Sequence, residues 1–429
     1  MKKIFLKNAY IVDPSSNFED IGTIVIQEDK IISLAKKTEF ISDPEKDEII
    51  DCTGKTIFPG LIDMHVFMEY RPQNQAASIK EISEAAARGG ITSLLVIPHE
   101  KMPLDDIKEF KSFMDAIKKY ASINIYPCAA LKSYKDSKSL CEYGLLRKEG
   151  AFFLSNSKTS LEDSALLYQA MLYGKNFDMK FILNPQAASL IGDGVANDGL
   201  MANWLGLSPI TKLSEIIPLE RDLRLAQTLD VSYHAAQISC KEAVDILKSA
   251  KQKNKNISAG VSINHLLFNE NDLGEYDTNF KFLPPLRNED DRLSLVQAIE
   301  DGIIDVIVSA HDPQSKDKKN VPFPMAENGA IGLETLLAAC LQFFHNKRLS
   351  LTQIIKALAT NPARLLNVNA GALAPGSKAD LIIVDLEYPW IVNEKELHTK
   401  ATNTPFLHSP LQGRVEKTFV NGQLIFSRK

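Results

Sequence analysis

The chain has 429 residues and a formal net charge of -5, so it exceeds the usual size of one compact unit and offers no general positive field for nucleic acid or an anionic membrane. Its composition, 45% hydrophobic and 24% charged, is that of an ordinary soluble globular protein. Five scattered cysteines, Cys52, Cys128, Cys141, Cys240 and Cys340, form no C-x-x-C pair and argue against both a disulfide framework and a thiolate zinc site.

At the N-terminus, Met1-Lys2-Lys3 and Ile4-Phe5-Leu6 begin like a leader, but Lys7, Asn8 and Asp13 interrupt the apolar run. No stretch reaches the ~20 apolar residues of a membrane span, so a cytoplasmic protein is expected. The first fifty residues alternate β-type runs with turn signals. Ile4 to Val12, Gly22 to Gln27, Lys30 to Leu34 and Glu48 to Asp51 read as a small antiparallel sheet. The tail behaves in the same way: Ala379 to Val384, Val415 to Val420 and Gln423 to Phe426 read as strands, the last two joined at Asn421-Gly422.

Between these ends, short apolar runs alternate with stretches of helical period. Residues 58–67, Ile91 to Pro98, Ala151 to Leu154, Lys180 to Leu183, Val231 to Ala235, Ala259 to Ile263 and Ile303 to Ser309 are predicted strands. Glu81 to Arg88, Ile107 to Tyr120, Ser160 to Tyr173, Leu219 to Leu229, Lys241 to Gln252 and Arg292 to Asp301 are predicted helices, and Leu351 to Ala359, ended by Asn361-Pro362, is a last one. About eight strand-helix units in roughly 300 residues fit a closed (β/α)8 barrel better than an open sheet. The expected architecture is α/β: a barrel over 55–365 and a small β domain made from both termini, 1–54 and 366–429.

The segments P-G-L-I-D-M-H-V at 59–66, A-A-A-R-G-G-I-T-S at 85–93, Tyr233-His234-Ala235-Ala236, Pro284-Pro285-Leu286-Arg287, Gly332-Leu333-Glu334-Thr335, Asn361-Pro362-Ala363-Arg364 and Asn403-Thr404-Pro405-Phe406 resemble the amidohydrolase superfamily. Within it they are most similar to the long type of dihydroorotase, in order and from about Ile11 to Phe426. The resemblance implies a barrel of the metallo-dependent hydrolase type, with zinc in the active relatives.

It also implies a set of site positions. The family's His-x-His falls on His65 and Phe67, its acidic residue beside the metals on Asn156, and its two later histidines on Asn184 and Gln237. The aspartate that binds metal and moves the proton falls on Ala310. Of these, only His65 can ligate, so no metal, no other cofactor and no catalytic residue is expected. Lys158 suggests a carbamylated-lysine ligand but has no partner histidines, and Asp312 a carboxylate reaching back towards position 310 from about 6–7 Å along the strand direction.

The family arginine that grips the substrate carboxylate falls on Glu69, with Arg71 near enough to compensate, and the two substrate asparagines fall on His99 and Leu283. His311 survives in a position the family uses to touch the substrate or to support the groups that do. His65, Glu69, Arg71, His99, Leu283 and His311 are therefore expected to form a vestigial substrate pocket.

The resemblance implies a dihydroorotase-like protein of pyrimidine biosynthesis with no activity of its own. Inactive relatives imply a structural or activating role beside the aspartate transcarbamoylase catalytic chain, within a homo-oligomer, with no nucleic-acid or membrane partner. The competing expectation is a divergent amidohydrolase with a site rebuilt from His65, His99, His234, His265, His311 and Asp312. A small-ligand sensor using the emptied mouth is a third.

Overall fold

The computed structural model describes residues 2–36, 46–136 and 138–428. Eight mostly buried strands, β1 (Leu61–Val66), β2 (Ile91–Val96), β3 (Asn124–Ala130), β4 (Phe153–Ser155), β5 (Lys180–Leu183), β6 (Tyr233–Ala235), β7 (Ile257–Ser262) and β8 (Val306–Val308), pair in chain order and in parallel. Beyond β8, His311 forms a parallel bridge with Val66 and accepts a 2.8 Å hydrogen bond from the Phe67 N–H, which closes the barrel. Strands covered on both faces need continuous apolar sequence, as in Leu94-Leu95-Val96 and Val306-Ile307-Val308, all fully buried.

The helices pack outside the strands, most by an apolar face and Leu336–His345 buried almost all round. The helix Ile107–Tyr120 buries Phe110, Phe113, Ala116 and Ile117, spaced by three and four residues, while Lys111, Lys118 and Lys119 stay off that face. Asp106 caps it by accepting from the Lys108 N–H at 2.8 Å, a contact typically worth about 1 kcal/mol. Burial of Phe110 and Phe113 contributes about 1.5–3 kcal/mol each.

Three features depart from the sequence expectation. β3 is a central strand that contains Pro127, a residue that argues against such a strand. Burial of Ile125, Cys128, Ala129 and Ala130 outweighs the single ladder bond that proline cannot donate, worth about 1 kcal/mol. Asn361-Pro362 does not end the last helix: Leu351–Ile355 runs through the wide turn Lys356–Thr360 into Asn361–Leu366, and Pro362, which has no N–H to donate, stands just after that wide turn. The span 58–67 is also two strands. Thr56–Pro59 belongs to the terminal sheet and β1 to the barrel, so the terminal sheet reaches past residue 54. Gly60 joins them, because a Cβ there would lie 2.3 Å from the Thr92 side chain.

The terminal sheet runs in the order 423–427, 410–420, 381–391, 56–59, 3–13, 18–27, 30–36, with 48–51 also paired to 3–13. It is not wholly antiparallel: 48–51 and 56–59 both run parallel to 3–13. The two ends of the chain are tied through Lys55, whose Nζ lies 2.7 Å from Asp385 and 2.6 Å from Glu416. All five cysteines are free and buried. No helix among the described residues is long and apolar enough to cross a membrane.

Candidate functional site

In a parallel barrel, groups that follow the strands converge at the C-terminal mouth. His65 lies near the end of β1, Asn156 and Asn184 follow β4 and β5 directly, and Gln237 follows β6 after one residue. Their side chains bond to one another. Asn156 and Asn184 clasp reciprocally: the Asn184 N–H donates to Asn156 Oδ1 at 2.9 Å, and Asn156 Nδ2 donates to the Asn184 carbonyl at 3.0 Å. Asn184 Nδ2 donates to the Ser157 carbonyl at 2.5 Å and lies 3.0 Å from His65 Nε2. The Gln237 amide lies 2.9 Å from His65 Nδ1. Asn184 Nδ2 and Gln237 Nε2 are both donors, and a neutral imidazole accepts at only one nitrogen, so His65 accepts from one of these two amides. Both ring nitrogens of His65 thus face amide side chains. Burial, and then the nearby Lys158 charge, hold its pKa down to about 3.

Phe67 fills the space beside this cluster. Its ring meets His65 edge-on with centroids 5.2 Å apart and meets His99 at 6.2 Å. Lys158 Nζ stands 4.9 Å from the Phe67 ring centroid and 2.5 Å from Asp312 Oδ2. Asp312 Oδ1 accepts from Gln314 Nε2 at 2.9 Å. Gly329 lets this carboxylate lie against the backbone, since a Cβ there would come within 2.5 Å of Asp312 Oδ2. Asn403, from the C-terminal segment, fastens the same loops by donating to the Asp312 and Gly329 carbonyls and accepting from the Gln314 N–H. The family resemblance offered Asn403 only as part of a motif; its clamping role depends on a chain crossing that adjacent sequence cannot show.

Ala310, at the family's proton-shuttle position, has a φ of +52° and lines a void of about 30 Å³ with His65, Asn184, Gln237, Leu283 and His265. That is room for about one water. Outside it, between the loops after β1 to β4 and residues 312–327, opens a cleft of about 680 Å³. Glu69 and His99 line the cleft, and His99 Nε2–H donates to the Met68 carbonyl at 3.0 Å. Arg71 is not among the lining residues: its guanidinium turns to Glu69 at 3.0 Å and Glu81 at 3.8 Å, so compensation for Glu69 is not what its contacts provide. His311 also points elsewhere, into a recess with Glu81 and Thr399, where its Nδ1 accepts from the Gly332 N–H at 3.3 Å. The vestigial pocket is thus divided among a void, a cleft and a recess.

The six groups of the rebuilt-site expectation are divided too. His234 Nδ1 pairs with Ser258 Oγ at 2.8 Å, and His265 Nε2–H donates to the Pro284 carbonyl at 3.0 Å. Asp312 belongs to Lys158 and does not reach back to position 310. Among the described residues, no three His, Cys, Asp or Glu side chains gather where a metal ion could be held. The donors at the family positions, one histidine with three amides, a phenylalanine and an alanine, do not fit the zinc that the fold family implies.

Four buried histidines should make the fold acid-sensitive. Burial is the first cause in each case: it lowers His65, His234 and His311 to about 3 and His265 to about 4, from an ordinary 6.5. Their folded values lie below the unfolded ones, so the stability they contribute is whole above pH ~6.5 and is lost as pH falls toward the folded values. Asp63 and Asp222, raised by burial to about 6, act in the opposite sense. Glu334 and Asp380, also raised by burial, join the two aspartates, and His99 joins the histidines. Because the histidines depart furthest from an ordinary value that lies within this window, the melting temperature is expected to fall between pH ~7 and ~5. A flat or rising profile would contradict this.

Comparison with known proteins agrees with the architecture. Residues 54–243 match the "Dihydro-orotase-like" family model and residues 219–425 the "Amidohydrolase family" model. Relatives named dihydroorotase include one from Elusimicrobium minutum, 32% identical over 423 residues, covering 98% of this chain and 97% of its own length. Another, from Listeria innocua, is 32% identical over 424 residues and covers 98% of each chain. Among solved structures, L-hydantoinase (dihydropyrimidinase) from Arthrobacter aurescens superposes with a TM-score of 0.87 at 21% identity, over 100% of this chain and 96% of its own, a likeness of fold. Full-length similarity at this level, on a barrel with this strand order, places the chain in the dihydroorotase family of the amidohydrolases.

Proposed function

We propose that this chain is a dihydroorotase-like protein of pyrimidine biosynthesis that performs no hydrolysis itself. It acts as a structural or activating partner of the aspartate transcarbamoylase catalytic chain. One observation carries the loss of activity: His65, the one ligand-competent family position, has both ring nitrogens facing the amides of Asn184 and Gln237. Ala310 cannot accept a proton, and Glu69 presents a negative charge where a substrate carboxylate would need a positive one. The partner role is supported by the contrast between this altered mouth and a barrel and terminal sheet that remain complete, with resemblance to inactive relatives nominating the transcarbamoylase. The requirement for a folded shape then lies on outer surfaces, within a homo-oligomer of closed symmetry.

Co-expression of the two chains from one organism tests the partnership. A joint size-exclusion peak with more transcarbamoylase activity than the lone catalytic chain is expected. Separate elution at micromolar concentration with unchanged activity would overturn the assignment.

A further inference from the structure

Lys158 follows β4 and Asp312 follows β8, strands that stand four positions apart in the barrel. Their 2.5 Å ion pair therefore spans the mouth. The ammonium sits over the Phe67 ring and shares the small void with His65, Asn184, Gln237 and Ala310, where the family resemblance places the metals. Resting on the metal-free reading above, we infer that Lys158 is a built-in cation that takes the electrostatic place of a divalent metal and excludes one.

Three features converge on this role. The carboxylate it neutralises is held from behind by Gln314, with Asn403 fixing its backbone, so Asp312 is not free to turn towards another cation. The electron-rich face of Phe67 favours an ammonium. A second cation placed among the His65, Asn184 and Gln237 side chains would be repelled by Lys158 in a partly desolvated site. The same geometry opposes carbamylation, which would replace the ammonium by an anion against both Asp312 and the ring face.

The charges around the pair do not change this assignment. Lys318 pairs with Glu327 at 3.3 Å, Glu69 pairs with Arg71, and the Lys319 Nζ donates to the Thr278 carbonyl at 2.8 Å.

The test restores the family donors with Phe67→His, Asn156→Asp, Asn184→His, Gln237→His and Ala310→Asp together, with and without Lys158→Met. Both full-length chains are loaded with zinc alone, dialysed and assayed for metal content. The chain retaining Lys158 is expected to hold at least ~10-fold less zinc than its Lys158→Met counterpart. Equal loading overturns the inference and leaves the metal-free reading of the native chain intact. Stoichiometric zinc in the native chain would overturn both. If circular dichroism shows the restored chains unfolded, the native background decides through the melting temperatures of Lys158→Met, Asp312→Asn and the double variant. A coupled pair gives a double loss smaller than the sum of the two single losses, and additive losses overturn the inference.

Discussion

Replacing Arg287 with methionine is expected to destabilise the folded chain by about 3–5 kcal/mol, the usual consequence of leaving a buried charge without its partner. Arg287 and Glu215 are both essentially buried, with Arg287 Nη2 3.9 Å from Glu215 Oε2. The contact is indirect, and Ser239 completes it: its hydroxyl donates to Glu215 and accepts from Arg287 Nε at 3.1 Å, while its N–H donates to Glu215 Oε1 at 2.8 Å. Arg287 Nη1 also donates to Asn197 Oδ1 at 3.0 Å and the Ile210 carbonyl at 2.9 Å, tying the excursion after β5 to the barrel. Methionine fills much of the arginine volume and supplies none of these donors, so the Glu215 carboxylate keeps its Ser239 and Gln186 donors but loses its buried counter-charge, and Asn197 Oδ1 and the Ile210 carbonyl lose a donor. Denaturant unfolding checks the value. A loss below about 1 kcal/mol would mean that Glu215 is satisfied without Arg287.

Dihydroorotate hydrolysis and its reverse are expected to be undetectable, at least ~10⁴-fold below a metal-bearing relative assayed in parallel, since the acid/base group alone contributes roughly 10²–10⁴. Neither Phe67→His nor Ala310→Asp alone should restore turnover. A histidine at 67 meets Lys158 and a His65 whose two ring nitrogens already face amides, and an aspartate at 310 still lacks companion ligands. Groups that act as a unit are not recovered singly. Turnover by the native chain within about 100-fold of the relative, measured by loss of dihydroorotate absorbance, would refute the inactive reading and favour a rebuilt catalytic site.

Much of the architecture is legible in the sequence, because it depends on local patterns. Alternating apolar runs and helical periods mark seven of the eight barrel strands, with Phe58 to Phe67 joining the first to a terminal-sheet strand, and turn residues mark the strands at both ends. Where a local rule conflicts with burial, the sequence misleads: Pro127 hides β3, and Pro362 suggests a stop in a chain that stays helical. The parallel pairing of 48–51 and 56–59 is equally out of reach, since strand direction in a sheet depends on where the chain returns.

The residue types at the mouth were fixed by the sequence alone. The histidine, amides, phenylalanine and alanine at the family positions already limit what the site can bind, because ligation depends on side-chain chemistry. What those residues do with one another was decided only by the tertiary structure. His65 to Asn184 spans 119 positions and His65 to Gln237 spans 172, and the partner of Lys158 lies 154 positions away at Asp312. A hydrogen bond or ion pair requires contact within a few ångströms, and only barrel closure brings strand ends so distant in sequence to one mouth. That closure also turns Arg71 and His311 away from the cleft, although both stand beside residues that line it.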